Sequence, residues 1–242
     1  MPSFDMSIPV GHWVETEYEA QKWLQYFTSA AHAGALGVDT ETTGLNIVND
    51  TVVVWSLSDG KERICLPSKF LGMFKVPVLE NPLVNLDGTN MKFDAHMLYN
   101  TGIDISKAGE WHDTIPQSWL LNENNLGRHG LKECIVDHFG RSTPTFEATF
   151  GKVPPKKKDK ITGQIISKTV GDIIKEVFAD PIRATSASDY ASLDAYNSTM
   201  LRRYFDEQLE KVPTGYGTLK DLYYSVDSKS VSYTHLTLPT KA

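Results

Sequence analysis

Apolar residues first recur at helical spacing. Between residues 15 and 33, Tyr18, Trp23, Leu24, Phe27 and Ala31 fall on one stripe, with acids crowded at the start. That pattern predicts an amphipathic helix whose aromatic residues face a core. After Gly34 the period changes. Ala35-Leu36-Gly37-Val38 runs into Asp39-Thr40-Glu41, Thr51 to Leu57 is rich in β-branched residues, and Asp59-Gly60 turns the chain into Arg63-Ile64-Cys65-Leu66. These stretches predict a three-stranded antiparallel meander. A short strand is expected at Leu83–Leu86, a helix from Lys92 to Asn100, and another short strand at Trp111–Asp113. Helices follow at 115–122 and 131–139, the second closed by Gly140. Residues 141–168 dissolve into Pro, Thr, Lys and Gly and read as a long surface segment with one helical turn near Phe146. Helices over 170–179 and 186–211 close the pattern. Strands first, then strand–helix alternation, predict an α/β fold with a mixed sheet flanked by helices.

Composition narrows the class without choosing a function. The chain has 242 residues, 40% of them hydrophobic and 22% charged, which is ordinary for a globular domain with a real core. Its two cysteines, Cys65 and Cys134, stand far apart, which argues for a reducing compartment and against structural zinc. No secretory signal and no apolar run near the ~20 residues of a membrane span are present. A cytoplasmic location, in a bacterium or a virus-infected cell, and a monomer are expected. Residues 231–242 look like translated vector or adapter sequence and are set aside. That leaves a domain over 1–210 and, over 211–230, the start of a further region.

Asp39 and Glu41 alternate with Thr40 on a strand and so share a face. Two carboxylates ~4 Å apart at an effective dielectric of about 20 repel by roughly 4 kcal/mol, so such a pair calls for a cation. Hard oxygen ligands suit Mg²⁺ or Mn²⁺ rather than zinc. Two further stretches offer partners. Asn90-Met91-Lys92-Phe93-Asp94 puts an acid at the start of a helix, and Tyr190 and Asp194 stand at i and i+4 on one helix face. The net charge of −6 argues against nucleic acid, unless bound cations meet its phosphates.

The ordered set Asp39-x-Glu41, Asn90-x₃-Asp94 and Tyr190-x₃-Asp194 resembles the three motifs of the DEDD exonucleases, in the branch with tyrosine. The histidine branch would need His at 189, which is Asp189. Asp113-Thr114, Gly127-Arg128-His129-Gly130-Leu131-Lys132-Glu133 and Thr145-Phe146-Glu147 extend the likeness over about residues 30–210 to the proofreading domain of family A DNA polymerases. The resemblance implies a ribonuclease H-like fold with a mixed five-stranded sheet and an antiparallel 3-2-1 half. It further implies two Mg²⁺ (or Mn²⁺) ions held by Asp39, Glu41, Asp94 and Asp194, and an attacking water held by Tyr190. Leu45 and Phe146 would stack on the last bases, with Thr42, Asn90, Phe93 and Arg128 at the substrate strand. Four carboxylates and two dications leave a site near neutrality, able to accept a phosphodiester. Gly44 would let a terminal nucleotide approach the backbone.

The function so implied is 3′–5′ hydrolysis of single-stranded DNA ends to nucleoside 5′-monophosphates, as the proofreading part of a chain whose polymerase domain is its partner. The alternatives are an RNA 3′-processing nuclease of the same fold and a non-catalytic nucleic-acid-binding module. Blander roles are expected for Asp113, as a hydrogen-bonding acid or helix cap, and for His96, His129 and His138, as core or surface residues. Lys152 and Lys156–Lys158 suit a solvated loop as well as a DNA contact.

Overall fold

The computed structural model describes residues 8–31, 34–124, 127–155, 157, 162 and 167–227. The vector-like tail, Lys156 and Lys158 lie outside them. Strand β1 (Gly11–Trp13) leads into helix α1 (Glu17–Ala31). Thr16 and Glu19 exchange hydrogen bonds at the head of α1, the Thr16 amide to Glu19 Oε2 at 3.0 Å and the Glu19 amide to Thr16 Oγ1 at 3.3 Å. Strands β2 (Ala35–Thr42), β3 (Val52–Ser58) and β4 (Arg63–Pro67) follow. After the short helix α2 (Leu71–Phe74) come β5 (Asn85–Gly88), α3 (Met91–Asn100), β6 (Trp111–Asp113) and α4 (Thr114–Leu121). Helices α5 (Leu131–Phe139), α6 (Phe146–Phe150), α7 (Val170–Ala179) and α8 (Pro181–Leu209) complete the fold, with a small hairpin, β7 (Pro213–Thr214) and β8 (Gly217–Thr218), and α9 (Leu219–Leu222) beyond.

The sheet has six strands, in the order β1-β4-β3-β2-β5-β6. Its antiparallel meander β4-β3-β2 and the parallel β2-β5-β6 half match the expected mixed sheet. The expected count of five is corrected by β1, which pairs parallel with β4 at the edge. Three residues beginning with glycine carry no readable alternation, and β1 is held from outside: the Gly11 amide donates to Asp189 Oδ1 of α8 at 3.1 Å. The strand expected at Leu83–Leu86 starts two residues later. The Asn81 side chain takes the Leu83 amide at 3.0 Å in a turn and leaves Leu83 exposed. Helix α8 likewise starts five residues before its expected position, because Asp180 caps it, accepting from the Ile182 amide at 3.0 Å, with Pro181 in the first turn.

Two layers of helix enclose the sheet. Leu36 and Val38 of β2 pack with α1 and α3 in the main apolar core. Of the aromatic residues of α1 expected inside, Phe27 is buried and Trp23 and Tyr26 pack at the core's edge, whereas Tyr18 is exposed. On the opposite face of β2, Gly37 leaves room for α8. A Cβ there would run into the Ala195 carbonyl and Thr199 of α8. The middle of α8 is buried from Tyr190 to Leu193 and from Ala195 to Leu201, lined by the small residues Ala191, Ser192, Ala195 and Ser198. Close approach of α8 to β2 follows from that pairing of glycine with small side chains. No helix among the described residues is long and apolar enough to cross a membrane.

Candidate active site

Strand β2 pairs with β3 through Thr42 but with β5 only from Ala35 to Gly37. Beyond Gly37 its β5 side is open, because β5 ends at Gly88 and the chain turns into α3. This gap at the carboxyl ends of parallel strands is where α/β folds place their sites. Asp39 and Glu41 point to the α8 face, as strand alternation requires with Leu36 and Val38 on the other. Asp94 arrives from the α3 side and accepts a hydrogen bond from Thr40 Oγ1 at 2.6 Å. Asp194 arrives from α8, one turn after Tyr190. The tertiary structure therefore brings the four acids and Tyr190 near enough for their charges to act on one another.

Electrostatics records the crowding. Burial, then the charges of Asp94, Asp194 and Glu41, hold the Asp39 carboxyl well above the usual carboxylate range. Burial and the neighbouring Asp194 raise Glu41 to about 8. Burial raises Asp94 to about 7 against the opposing bond from Thr40, and burial raises Asp194 to about 6. Among the described residues no set of three or more His, Cys, Asp or Glu side chains is drawn in closely enough to hold an ion as it stands. The four acids form a charged cleft with mutual repulsion, not a closed ligand cage. Their chemistry fits divalent cations with oxygen ligands: four hard carboxylates, no thiolate, and burial that leaves each proton-hungry until a positive charge arrives.

A cation missed in the sequence faces the same cleft. Lys132, in the first turn of α5, donates to the Tyr190 hydroxyl at 3.0 Å and to the Pro144 carbonyl at 3.1 Å, with its ammonium 4.7 Å from the Tyr190 ring centre. Its charge opposes the rise of Asp39, Glu41 and Asp194. By filling a lone pair of the phenol it leaves the Tyr190 O–H free to donate. Burial and the charges of Glu41, Asp194 and Asp39 push that phenol above its ordinary range, so it stays protonated. Lys132 stands within the motif around Gly127–Glu133, but nothing in its spacing from Tyr190 announces the pair.

The other expected site residues are placed unevenly. Leu45 is 84% exposed just past β2, an apolar side chain presented to solvent beside the cleft. Phe146 heads α6, with its ring centre 4.7 Å from that of Phe150, which meets Tyr190 edge-on at 5.6 Å. Asn90 holds a left-handed backbone, φ 61° and ψ 44°, directly before α3. Phe93 packs half-buried on the main core. Thr42 is buried, its hydroxyl donating to the Gly44 carbonyl at 2.7 Å. Arg128 is exposed and paired with Asp137, Nε to Oδ2 at 3.0 Å, so a strand would have to compete for it. Gly44 also has a structural reason: a Cβ there would collide with the Asp50 carboxylate, which ties Thr43 and Asn46 into the turn.

Asp113 takes the structural part. Its carboxylate accepts from the amides of Asn90 at 3.1 Å and Met91 at 2.9 Å and caps α4 through the Ile115 amide at 3.0 Å. It thereby fixes the left-handed turn that aims α3, and with it Asp94. Tyr223, from the segment after residue 210, is fully buried and donates to the Asp113 carbonyl at 3.2 Å. His129 is likewise a core residue, bonded to Ser118 at 2.9 Å.

A strand end open on one side, carboxylates converging from β2, α3 and α8, and a phenol one turn from the last acid are gathered on a ribonuclease H-like sheet. The chain belongs to the 3′–5′ exonuclease family, which matches it over residues 11–210. Among solved structures, Brucella melitensis NrnC bound to pGG is similar at 15% identity and TM-score 0.54, over 95% of this chain and 89% of that one. NrnC has also been solved with bound Mg²⁺. Escherichia coli RNase D, an exoribonuclease involved in structured RNA processing, is similar at 12% identity and TM-score 0.54, over 94% of this chain and 51% of its own. Pol1 from M. smegmatis, solved with DNA primer-template and dNTP, is similar at 12% identity and TM-score 0.53, over 81% of this chain but 27% of its own. At such identities these likenesses show the fold. No curated protein matches the chain.

Proposed function

We propose that the protein is a divalent-metal-dependent 3′–5′ exonuclease that trims single-stranded ends in its own right, with RNA ends ahead of DNA as substrate. The observation that carries this reading is the convergence of four buried, mutually repelling carboxylates with Tyr190 at one open strand end. Asp39, Glu41, Asp94 and Asp194 would hold two Mg²⁺ or Mn²⁺ ions. Those ions, when bound, supply Lewis acidity toward the phosphodiester and its leaving oxygen. Tyr190, protonated and held by Lys132, orients the attacking water by donating its hydroxyl proton as a hydrogen bond. Leu45 and Phe146 offer apolar faces on which any base can stack, which suits removal without sequence choice.

The RNA preference is supported by RNase D among the similar structures, and the self-standing role by the mutual coverage with NrnC. The second reading, proofreading beside a polymerase, is favoured by the likeness to Pol1, which spans about a quarter of that chain. Digestion of end-labelled single-stranded RNA and DNA of equal sequence with Mg²⁺ separates the two. Stepwise release of nucleoside 5′-monophosphates, faster from RNA, is the expected result. Faster loss from DNA would favour proofreading, and no digestion of either would defeat both.

A further inference from the structure

The segment after residue 210 lies outside the stretch that carries the family likeness, yet it reaches the supports of the acid cleft. Hairpin β7–β8 turns the chain back. At the head of α9 the Thr218 amide donates to Asp221 Oδ2 at 2.7 Å, and the Asp221 amide donates to Thr218 Oγ1 at 3.3 Å. This local fold delivers Tyr223 to β6, at the edge of the sheet. One phenol there serves both backbone groups of Asp113: it accepts from the amide at 2.9 Å and donates to the carbonyl at 3.2 Å. Tyr223 is fully buried and Asp113 is 5% exposed, so without that oxygen both groups would lose this partner away from water.

The consequence travels through the Asp113 side chain, which takes the amides of Asn90 and Met91 at the head of α3. Asn90 makes no side-chain cap of its own for that helix, so the capping falls to Asp113. Asn90 is also the one non-glycine residue with a left-handed backbone among the described residues. Such a conformation persists only where its surroundings impose it. Asp94 stands in the first turn of α3, its carboxylate bonded to Thr40. We infer that Tyr223 is a positioning residue of the metal site. By gripping Asp113 it sets the turn at Asn90, and thereby where the Asp94 carboxylate meets a cation. The inference rests on the reading of Asp94 as a metal ligand, and it makes the segment after residue 210 part of the working site.

Titration of the full chain with Mn²⁺ in the absence of nucleic acid, followed by electron paramagnetic resonance, tests it. Tyr223→Phe removes one oxygen and keeps the ring. It weakens Mn²⁺ binding on the order of 10-fold, the lower end of what loss of a ligand's support costs, and speeds hydrogen exchange at the Asn90 and Met91 amides. Tyr224→Phe is the matched control. It loses its bonds to Asp206 on α8 and leaves both the Mn²⁺ affinity and that exchange unchanged. A Tyr223→Phe chain that melts lower but binds Mn²⁺ as tightly as the wild type would make the phenol purely structural. Equal weakening by Tyr224→Phe would make the effect a general loosening. Either result overturns the inference. Asp94→Ala separates the two levels. If it binds Mn²⁺ like the wild type, the metal-site reading fails and takes the inference with it; if it loses binding while Tyr223→Phe does not, the inference alone fails.

Discussion

Two buried groups of acids lie within one domain and are built on opposite terms. In the first, Asp87 and Asp206 are matched by partners. Asp87 meets His112 Nδ1 at 2.8 Å and Arg202 Nε at 3.2 Å. Asp206 accepts from Arg202 Nη1 at 2.7 Å, Gln117 Nε2 at 2.8 Å and the Tyr224 hydroxyl. Burial pulls the Arg202 guanidinium down, but Asp87 and Asp206 outweigh it and hold it above its ordinary range. In the second group, Asp39, Glu41, Asp94 and Asp194 crowd one another; Lys132 eases the repulsion on Asp39, Glu41 and Asp194, and the bond from Thr40 that on Asp94. A paired acid network holds α8 to the sheet's far end. An unpaired one is costly to the fold and has a use only when a ligand supplies the missing charge.

The largest difference between the groups is expected from removing acids. Asp39→Ala with Glu41→Ala takes nuclease activity to background while the melting temperature stays unchanged or rises, since a repulsive pair has gone. Retained digestion would move the site elsewhere. Arg202→Met does the reverse. It strands two buried carboxylates and lowers stability by about 3–5 kcal/mol, read by urea unfolding, and a loss within error would mean the first group is not a bonded network.

Cations sharpen the contrast through pH. Glu41 at about 8, Asp94 at about 7 and Asp194 at about 6 all exceed their unfolded values near 4. The folded chain thus binds these protons more tightly, and that stability is fully present below about pH 4 and lost as pH rises through 6 to 8. Mg²⁺ takes the protons' place, so its stabilisation grows with pH. At 100 times the dissociation constant it contributes about 2.7 kcal/mol, or roughly 5–10 °C for a domain of this size, at pH 8 and far less at pH 5.5. Equal shifts at both, in thermal melts with Mg²⁺ and EDTA, would contradict the charge balance. The smallest effects belong to the residues around the acids. Tyr190→Phe and Lys132→Met should each cost on the order of 10–100-fold in kcat, as loss of an orienting partner does, less than any acid. The double variant should cost little more than one of them, because Lys132 acts through the phenol. Multiplying losses would separate them.

The chain order of the acids, the phenol on their helix and the mixed sheet were legible because each rests on local periodicity or on spacing within a few residues. Asp39 and Glu41 share a face by strand alternation, and Tyr190 and Asp194 by helical pitch. The capping of α8 by Asp180 and Pro181 was also written locally, in a signal the helical period alone passes over. What escaped were relations between distant residues. Strand β1 exists because α8 and β4 hold it, Gly44 answers to Asp50, and Arg128 is engaged by Asp137.

Sequence alone thus determined which chemical groups the protein owns and which element carries each. Tertiary structure decided how they meet: the early end of β5 that opens β2 to Asp94, the glycine that lets α8 come close, and the lysine that reaches Tyr190. The reason is physical. Backbone geometry is set by neighbours along the chain, whereas burial and charge depend on which surfaces packing brings together.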